Sequence, residues 1–350
     1  MIHNEEIERV LPVESPIEST WASYSNLFSI IGKYENAYSW IMNHFTQMVG
    51  VTKNWGLPNL TFIPSNDPLK EWDKCPFIEV QKMRREIIEK KWNSLSDFLT
   101  DTINEGYYGY VFLNQFQVRK SNKNGLHRNF VYGYKGNCFL VADHFDNGKY
   151  KTVTVDSALL DEAFAYMNNE EILSQLETDK ILNEVYPYIL LVKPIDREYS
   201  FDPSLLACYV NDLLQSKNSF KCYEYYPNCK NVFGLNNYDF LIEYLDKFIR
   251  GNMRLLDQRP FTLVRDHKKM MILRMEYLSN HVLQGKEREL SEVRELYTEL
   301  YMKTANILGL FLKYAVEKDN RYIASIQGRL ESLKASEKPV LKKLLDILEP

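Results

Sequence analysis

Glycine is scarce in this 350-residue chain, 14 in all, and no glycine-rich phosphate loop interrupts it. The usual nucleotide-dependent chemistries are therefore disfavoured, and no cofactor is expected. Long apolar runs are missing too: none approaches the ~18–20 residues that span a bilayer, so no membrane association is expected. The opening Met1-Ile2-His3-Asn4-Glu5-Glu6 has neither a positive n-region nor an apolar h-region. It does not read as a secretory signal, and the expected location is cytoplasmic. Lys plus Arg number 43 against 47 Asp plus Glu, net −4, without a basic block, which provides no electrostatic footprint for nucleic acid. The cysteines are few, odd in number and irregularly spaced: Cys75, Cys138, Cys208, Cys222 and Cys229. That usage fits reduced thiols better than a disulfide framework. Cys222 and Cys229 are too far apart for a zinc pair and no histidine is near, so no metal is expected.

What is abundant is aromatic: 24 Tyr, 18 Phe and 5 Trp. Such bulk either fills a core or walls a dry cleft for a long acyl or aryl chain. The length suggests two domains, or one with a helical annex. Leu27, Ile30 and Ile31 share a helical face after Ser23, and Ile41, Phe45 and Met48 predict a second helix over Tyr38–Val49. A short strand is expected at Leu60–Ile63. Apolar residues from Ile78 to Ile103 predict one long helix or two. The period then changes from 3.6 to 2. Tyr107–Val118 reads as a central strand apolar on both faces, followed by strands at His127–Tyr134, Cys138–Phe145 and Tyr150–Val155. Asn147-Gly148 is a hairpin-turn signal. Beyond Val155 the chain reads as helical apart from a strand at Tyr188–Val192. In Glu287–Leu348 one stripe carries Leu290, Val293, Leu296 and Leu300, and only Pro339 interrupts the helical pattern. Helices, then an antiparallel sheet, then helices predict an α+β fold with its layers segregated. The expected boundary separates residues 1–160 from a mainly helical 161–350.

The densest chemical signal lies in the strand pair. A three-residue hairpin loop sets Tyr134 opposite Cys138, hence His127 opposite Phe145 and Asn129 opposite Asp143. His127 and Asp143 become diagonal neighbours on one face, within reach of a hydrogen bond. An even loop would put them on opposite faces. A histidine held by a carboxylate on rigid strands is suited to general-base work; alternatively, the two residues only end their strands. A nucleophile would gain from a helix N-terminus, and Trp21-Ala22-Ser23-Tyr24-Ser25-Asn26 opens the first helix. Ser23 and Ser25 are candidates there, each equally able to serve as an ordinary cap. Cys75, in Lys74-Cys75-Pro76 before an expected helix, is a lesser candidate, and Cys138 is expected in the core. Further on, Gln258–Met271 mixes charge with apolar residues. Arg265 and His267 are candidate contacts for a phosphate or an acidic carrier helix; the alternative is a helix with a solvated face and Phe261, Val264 and Met271 turned inward.

Several stretches together resemble one family. They are Ser25–Ile31, Tyr38–Phe45, Gly106–Tyr110 through Gln115, His127–Gly133, Asp143–Tyr150 and Asp257–Met271. The family is that of the N-terminal domain of the butirosin biosynthesis protein H, with a papain-like cysteine-peptidase fold, found with nonribosomal-peptide and related natural-product clusters of bacteria. The resemblance implies a papain-like lobe with N-terminal helices and an antiparallel sheet, followed by a mainly helical lobe. It also implies acyl transfer from a carrier-protein thioester to an amine or to water, with an acyl or peptidyl carrier protein as partner. By position His127 would be the base and Asp143 its orienting partner. The family's cysteine falls near the opening of the first helix. Residues 20–31 hold no cysteine, so Ser23 or Ser25 would attack in its place, dependent wholly on the base. The alternative is a catalytically inactive relative that binds a carrier protein or peptide intermediate. The terminal helices, with their apolar stripes, could also pair with another subunit.

Overall fold

The hairpin strands at residues 126–135, 138–145 and 149–156 form where the period-two alternation predicts them. The computed structural model describes residues 8–18, 20–52, 57–63, 72–114, 118, 126–145, 149–170, 172–174, 186–219, 231–253 and 255–349. Its strands are β1 (Glu8–Val10), β2 (Met48–Thr52), β3 (Pro58–Phe62), β4 (Ile78–Arg84), β5 (Tyr108–Asn114), β6 (Leu126–Lys135), β7 (Cys138–Phe145), β8 (Lys149–Asp156), β9 (Tyr188–Pro194) and β10 (Val232–Phe233). Its helices with fully described bounds are, in the N-terminal half, α1 (Ala22–Ile31), α2 (Glu35–Asn43), α3 (Arg85–Lys91), α4 (Leu95–Asn104) and α5 (Ser157–Ala165). Further along are α6 (Pro203–Gln215), α7 (Asn236–Ile249), α8 (Arg259–His281), α9 (Glu287–Glu317) and α10 (Asn320–Leu348). Antiparallel sheets and a helical C-terminal region make the fold α+β. Among the described residues no helix is long and apolar enough to cross a membrane.

Two compact units divide the chain, residues 1–35 with 67–197 and residues 36–66 with 198–350. This differs from a boundary at 160. Strand β9, well beyond that point, is hydrogen-bonded between β4 and β5 in the first unit's sheet. Residues 36–66 group with the C-terminal helices, where Phe62 of β3 stacks on His267 of α8.

The first unit is built on one antiparallel sheet in the order β4-β9-β5-β6-β7-β8. Every residue of β5 is buried, as a strand covered on both faces requires. Beyond the start of β5, where Gly109 pairs with Val131, β1 continues alongside β6, pairing Val10 with Gly133. Helix α1 lies against β7, and α4 and α5 lie against β5. Residues 78–84, expected to be helical, instead form β4, which pairs along its whole length with β9. Pairing with a partner so distant in sequence overrides a local helical pattern. The Asn147-Gly148 turn and residues 115–117 of the expected Tyr107–Val118 strand lie outside the described residues.

In the second unit, β10, β2 and β3 form a small antiparallel sheet beside α2 and α6–α10. Helix α2 stops at Asn43, short of the expected Val49. Phe45 adopts a left-handed φ of 53°. The buried guanidinium of Arg274 meets the freed carbonyls, Nε at 2.6 Å from Met42 O and Nη2 at 2.5 Å from His44 O. A cation at a helix C-terminus also opposes the helix dipole. In α9, Leu290, Val293 and Leu300 are buried as expected, with Tyr297 in the stripe and Leu296 half-exposed. Pro339 does not end its helix but sits inside continuous α10.

Candidate functional site

The hairpin that carries His127 and Asp143 reaches the expected register by a different route. Its turn has two residues, not three: Lys135 pairs with Cys138 around Gly136, whose φ is +54°. Left alone, that even turn would place His127 and Asp143 on opposite faces. Between Val131 and Gly133, however, the ladder shifts by one residue at a β-bulge. Beyond it Val131 pairs with Val141 and Phe130 with Ala142, so Asn129 comes opposite Asp143 and the diagonal is restored.

His127 Nδ1 lies 2.7 Å from Asp143 Oδ2 and 2.8 Å from the carbonyl oxygen of Arg128. Both neighbours are acceptors, so Nδ1 must carry the proton, and in the neutral ring the lone pair is on Nε2. This is the tautomer of a general base. The Asp143 carboxylate is fully buried, whereas the His127 side chain is 37% exposed. Asp143 Oδ1 accepts the His144 backbone N–H at 2.6 Å. The carboxylate is thus held from two sides while the imidazole it orients stays accessible.

Around this pair stands a group of residues that pattern reading missed. The Tyr150 hydroxyl donates to Asn26 Oδ1 at 2.7 Å and lies 3.5 Å from Ser29 Oγ, linking α1 to β8. Tyr150 is the cross-strand partner of His144, so the register alone could have pointed to it. Tyr110 lies beside Asn26, Arg128 and Asp143; burial foremost, helped by the Asp143 charge, raises its phenol to about 12. Burial likewise raises the Tyr150 phenol. Both hydroxyls stay protonated at neutral pH.

Asn26 and Ser29 mark the side of α1 that looks to this network. Ala22 and Ser23, four and three residues before Asn26, and Ser25, four before Ser29, all flank that side toward the helix opening. Ser23 is buried. Ser25 is distinguished by its contacts: its Oγ is 3.1 Å from both Glu18 O and Trp21 O, and the residue is fully buried. Its hydroxyl proton is committed to backbone. The N-cap residue Trp21 supplies no side-chain cap. The buried carboxylate of Glu18 serves there, Oε1 accepting from Thr20 N at 2.5 Å and Trp21 N at 3.1 Å. A side-chain oxygen acceptor thus already sits at the entrance to the helix.

Cys75 follows a short 3-10 turn and precedes β4, not a helix. Burial pushes its thiol up to about 12, which suppresses the thiolate. Cys138 is half-buried at the start of β7; Cys222 and Cys229 lie outside the described residues. In the second unit Phe261, Val264 and Met271 are buried in α8 as expected, but so is His267, with no exposed surface. Its Nε2 is 2.9 Å from Thr46 O and its Nδ1 3.0 Å from Lys268 Nζ. With both nitrogens committed inside the unit, His267 presents none of them to a carrier. Arg265, 29% exposed, pairs with Asp266 at 3.0 Å.

No family model matches this chain, and neither does any curated protein.

Proposed function

We propose that the first unit catalyses acyl transfer of the papain-like kind, moving a carrier-bound acyl chain from its thioester to an amine or to water in bacterial natural-product biosynthesis. The observation that carries this is the two-acceptor environment of His127 Nδ1, which leaves Nε2 as the nitrogen for base chemistry. Ser23 is the hydroxyl assigned to attack. As its Oγ bonds to the thioester carbonyl carbon, its proton passes to His127 Nε2. Collapse of the tetrahedral intermediate expels the carrier thiolate, which takes that proton back. The acceptor amine then repeats the sequence on the acyl-serine, and an amide leaves. Asp143 positions the ring and offsets the imidazolium charge of both half-reactions.

A second reading is supported by the Glu18 carboxylate at the opening of α1 and by the committed Ser25 hydroxyl. Both disfavour a developing anion there, as in a relative that binds a carrier or peptide intermediate without turning it over. Intact-mass analysis after incubation with an acyl-thioester surrogate separates the two. The enzyme reading expects an acyl adduct that is lost in both Ser23→Ala and His127→Ala. Carrier binding with no adduct and no thioester loss would establish the binding reading. Thioester loss that persists in Ser23→Ala but not in His127→Ala would mean that His127 activates the acceptor directly.

A further inference from the structure

Helix α9 carries two apolar seams, and the bundle uses one. The first runs from Leu290 to Phe311 in steps of three and four and is buried. The second, on the other side of the helix, is Thr298, Met302, Ala305, Gly309, Leu312 and Val316, spaced 4-3-4-3-4. That is the a/d spacing of a coiled coil. Its large members are unusually open: Met302 is 56% exposed, Leu312 66% and Val316 83%. A Cβ built on Gly309 would meet nothing within 4 Å. Glycine disfavours a helix interior, so this open position mid-helix suits the close approach of another helix.

We propose that this seam is an interface with a second copy of this chain, the two α9 helices packing antiparallel as a short coiled coil. In antiparallel pairs an a position meets a d position of the partner. Taking Met302, Gly309 and Val316 as a, and Thr298, Ala305 and Leu312 as d, a single register fills all six layers. Thr298 meets the partner's Val316, Met302 the partner's Leu312, and Ala305 the partner's Gly309, each twice by the two-fold symmetry. The smallest residues meet at the centre and the largest flank them. Charge selects the same register. The flanking positions on one side of the seam are Glu299, Asn306 and Lys313. Antiparallel alignment sets Glu299 against the partner's Lys313 at both ends and Asn306 against its own copy on the axis. A parallel pair would instead stack glycine on glycine and set Lys313 against the partner's Leu308.

Sedimentation velocity on the full chain, over a concentration series up to roughly 100 μM, tests this. A monomer–dimer equilibrium is expected. Leu312→Glu should weaken it by at least about tenfold. Glu299→Lys and Lys313→Glu should each weaken it, and the double reversal should restore it. All three positions are exposed, so the folded monomer persists in every variant. A chain that stays monomeric throughout overturns the proposal. So does a dimer indifferent to Leu312→Glu, or one that the double charge reversal fails to restore.

Discussion

His127 meets Asp143 across the β6–β7 ladder, Nδ1 to Oδ2 at 2.7 Å, only because the ladder slips by one residue at Tyr132. The bulge and the two-residue turn act together as one odd-length connection. The relationship is therefore built into the backbone, and the side chains only complete it.

Nitrogen-15 NMR should find the neutral His127 ring protonated at Nδ1. Asp143→Asn puts an amide beside Nδ1 that is able to donate to it, so a mixture of tautomers is expected. Turnover of an acyl thioester should fall by roughly 10²–10⁴-fold. A single Nδ1–H tautomer retained in the variant would show that the Arg128 carbonyl orients the ring without Asp143.

Gly133 sits immediately beyond the bulge, where β1 passes β6. A Cβ there would lie 2.8 Å from Arg9 O and 2.9 Å from Val10 Cα. Both are backbone atoms, so β1 itself must move. The Tyr132 carbonyl also accepts the Leu11 N–H at 2.8 Å. Gly133→Ala is expected to cost about 1–3 kcal/mol and to expose the Leu11 amide to hydrogen exchange. Unchanged protection of that amide would contradict the contact.

The sheet was legible in the sequence because alternation is local: β6, β7 and β8 lie within a residue or two of their expected positions. The His–Asp diagonal was legible for a subtler reason. A three-residue loop and a two-residue turn plus a bulge have the same parity, and parity is all that a face assignment needs. What escaped depends on distant partners. β4 looks helical until β9 arrives beside it. Ser23 and Ser25 look alike until the carbonyls of Glu18 and Trp21 claim one of them. His267 sits in a basic run that resembles a solvated face, yet α2–β2, α8 and α10 close around it.

Cys75 offers a direct check on the first unit's core. Its thiol, raised to about 12 by burial and opposed by a backbone hydrogen bond at Phe77, should resist iodoacetamide at pH 8 in the native protein. The exposed Cys208 should react readily. Peptide mapping should find Cys75 labelled only after denaturation. Native labelling at a rate similar to that of Cys208 would mean that this part of the unit opens in solution.

A buried ion pair anchors the second unit. Lys268 Nζ contacts Glu337 Oε1, and the Tyr238 hydroxyl donates to Glu337 Oε2 at 2.6 Å. Lys268→Met strands a buried carboxylate and should cost about 3–5 kcal/mol in urea unfolding. Adding Glu337→Gln removes the stranded charge while keeping an acceptor for Tyr238. The double variant should therefore be more stable than Lys268→Met alone. Additive losses would mean that the two charges do not interact.

His267 makes the same core sensitive to acid. Burial foremost, then the positive charge of Lys268, holds its pKa well below the ordinary histidine value. An unfolded histidine titrates near 6.5. Below that pH the unfolded chain binds a proton that the native core refuses, so stability is full above about 6.5 and falls as the pH drops. The slope from this residue alone is about 1.4 kcal/mol per pH unit. His267→Gln supplies a donor for Thr46 O and an acceptor for Lys268 Nζ without a titrating ring. Urea unfolding between pH 6.5 and roughly 5 should then lose that part of the slope, while stability near pH 8 changes little. An unchanged slope would mean that His267 is protonated in the folded core, which the Nζ of Lys268 at 3.0 Å from Nδ1 opposes.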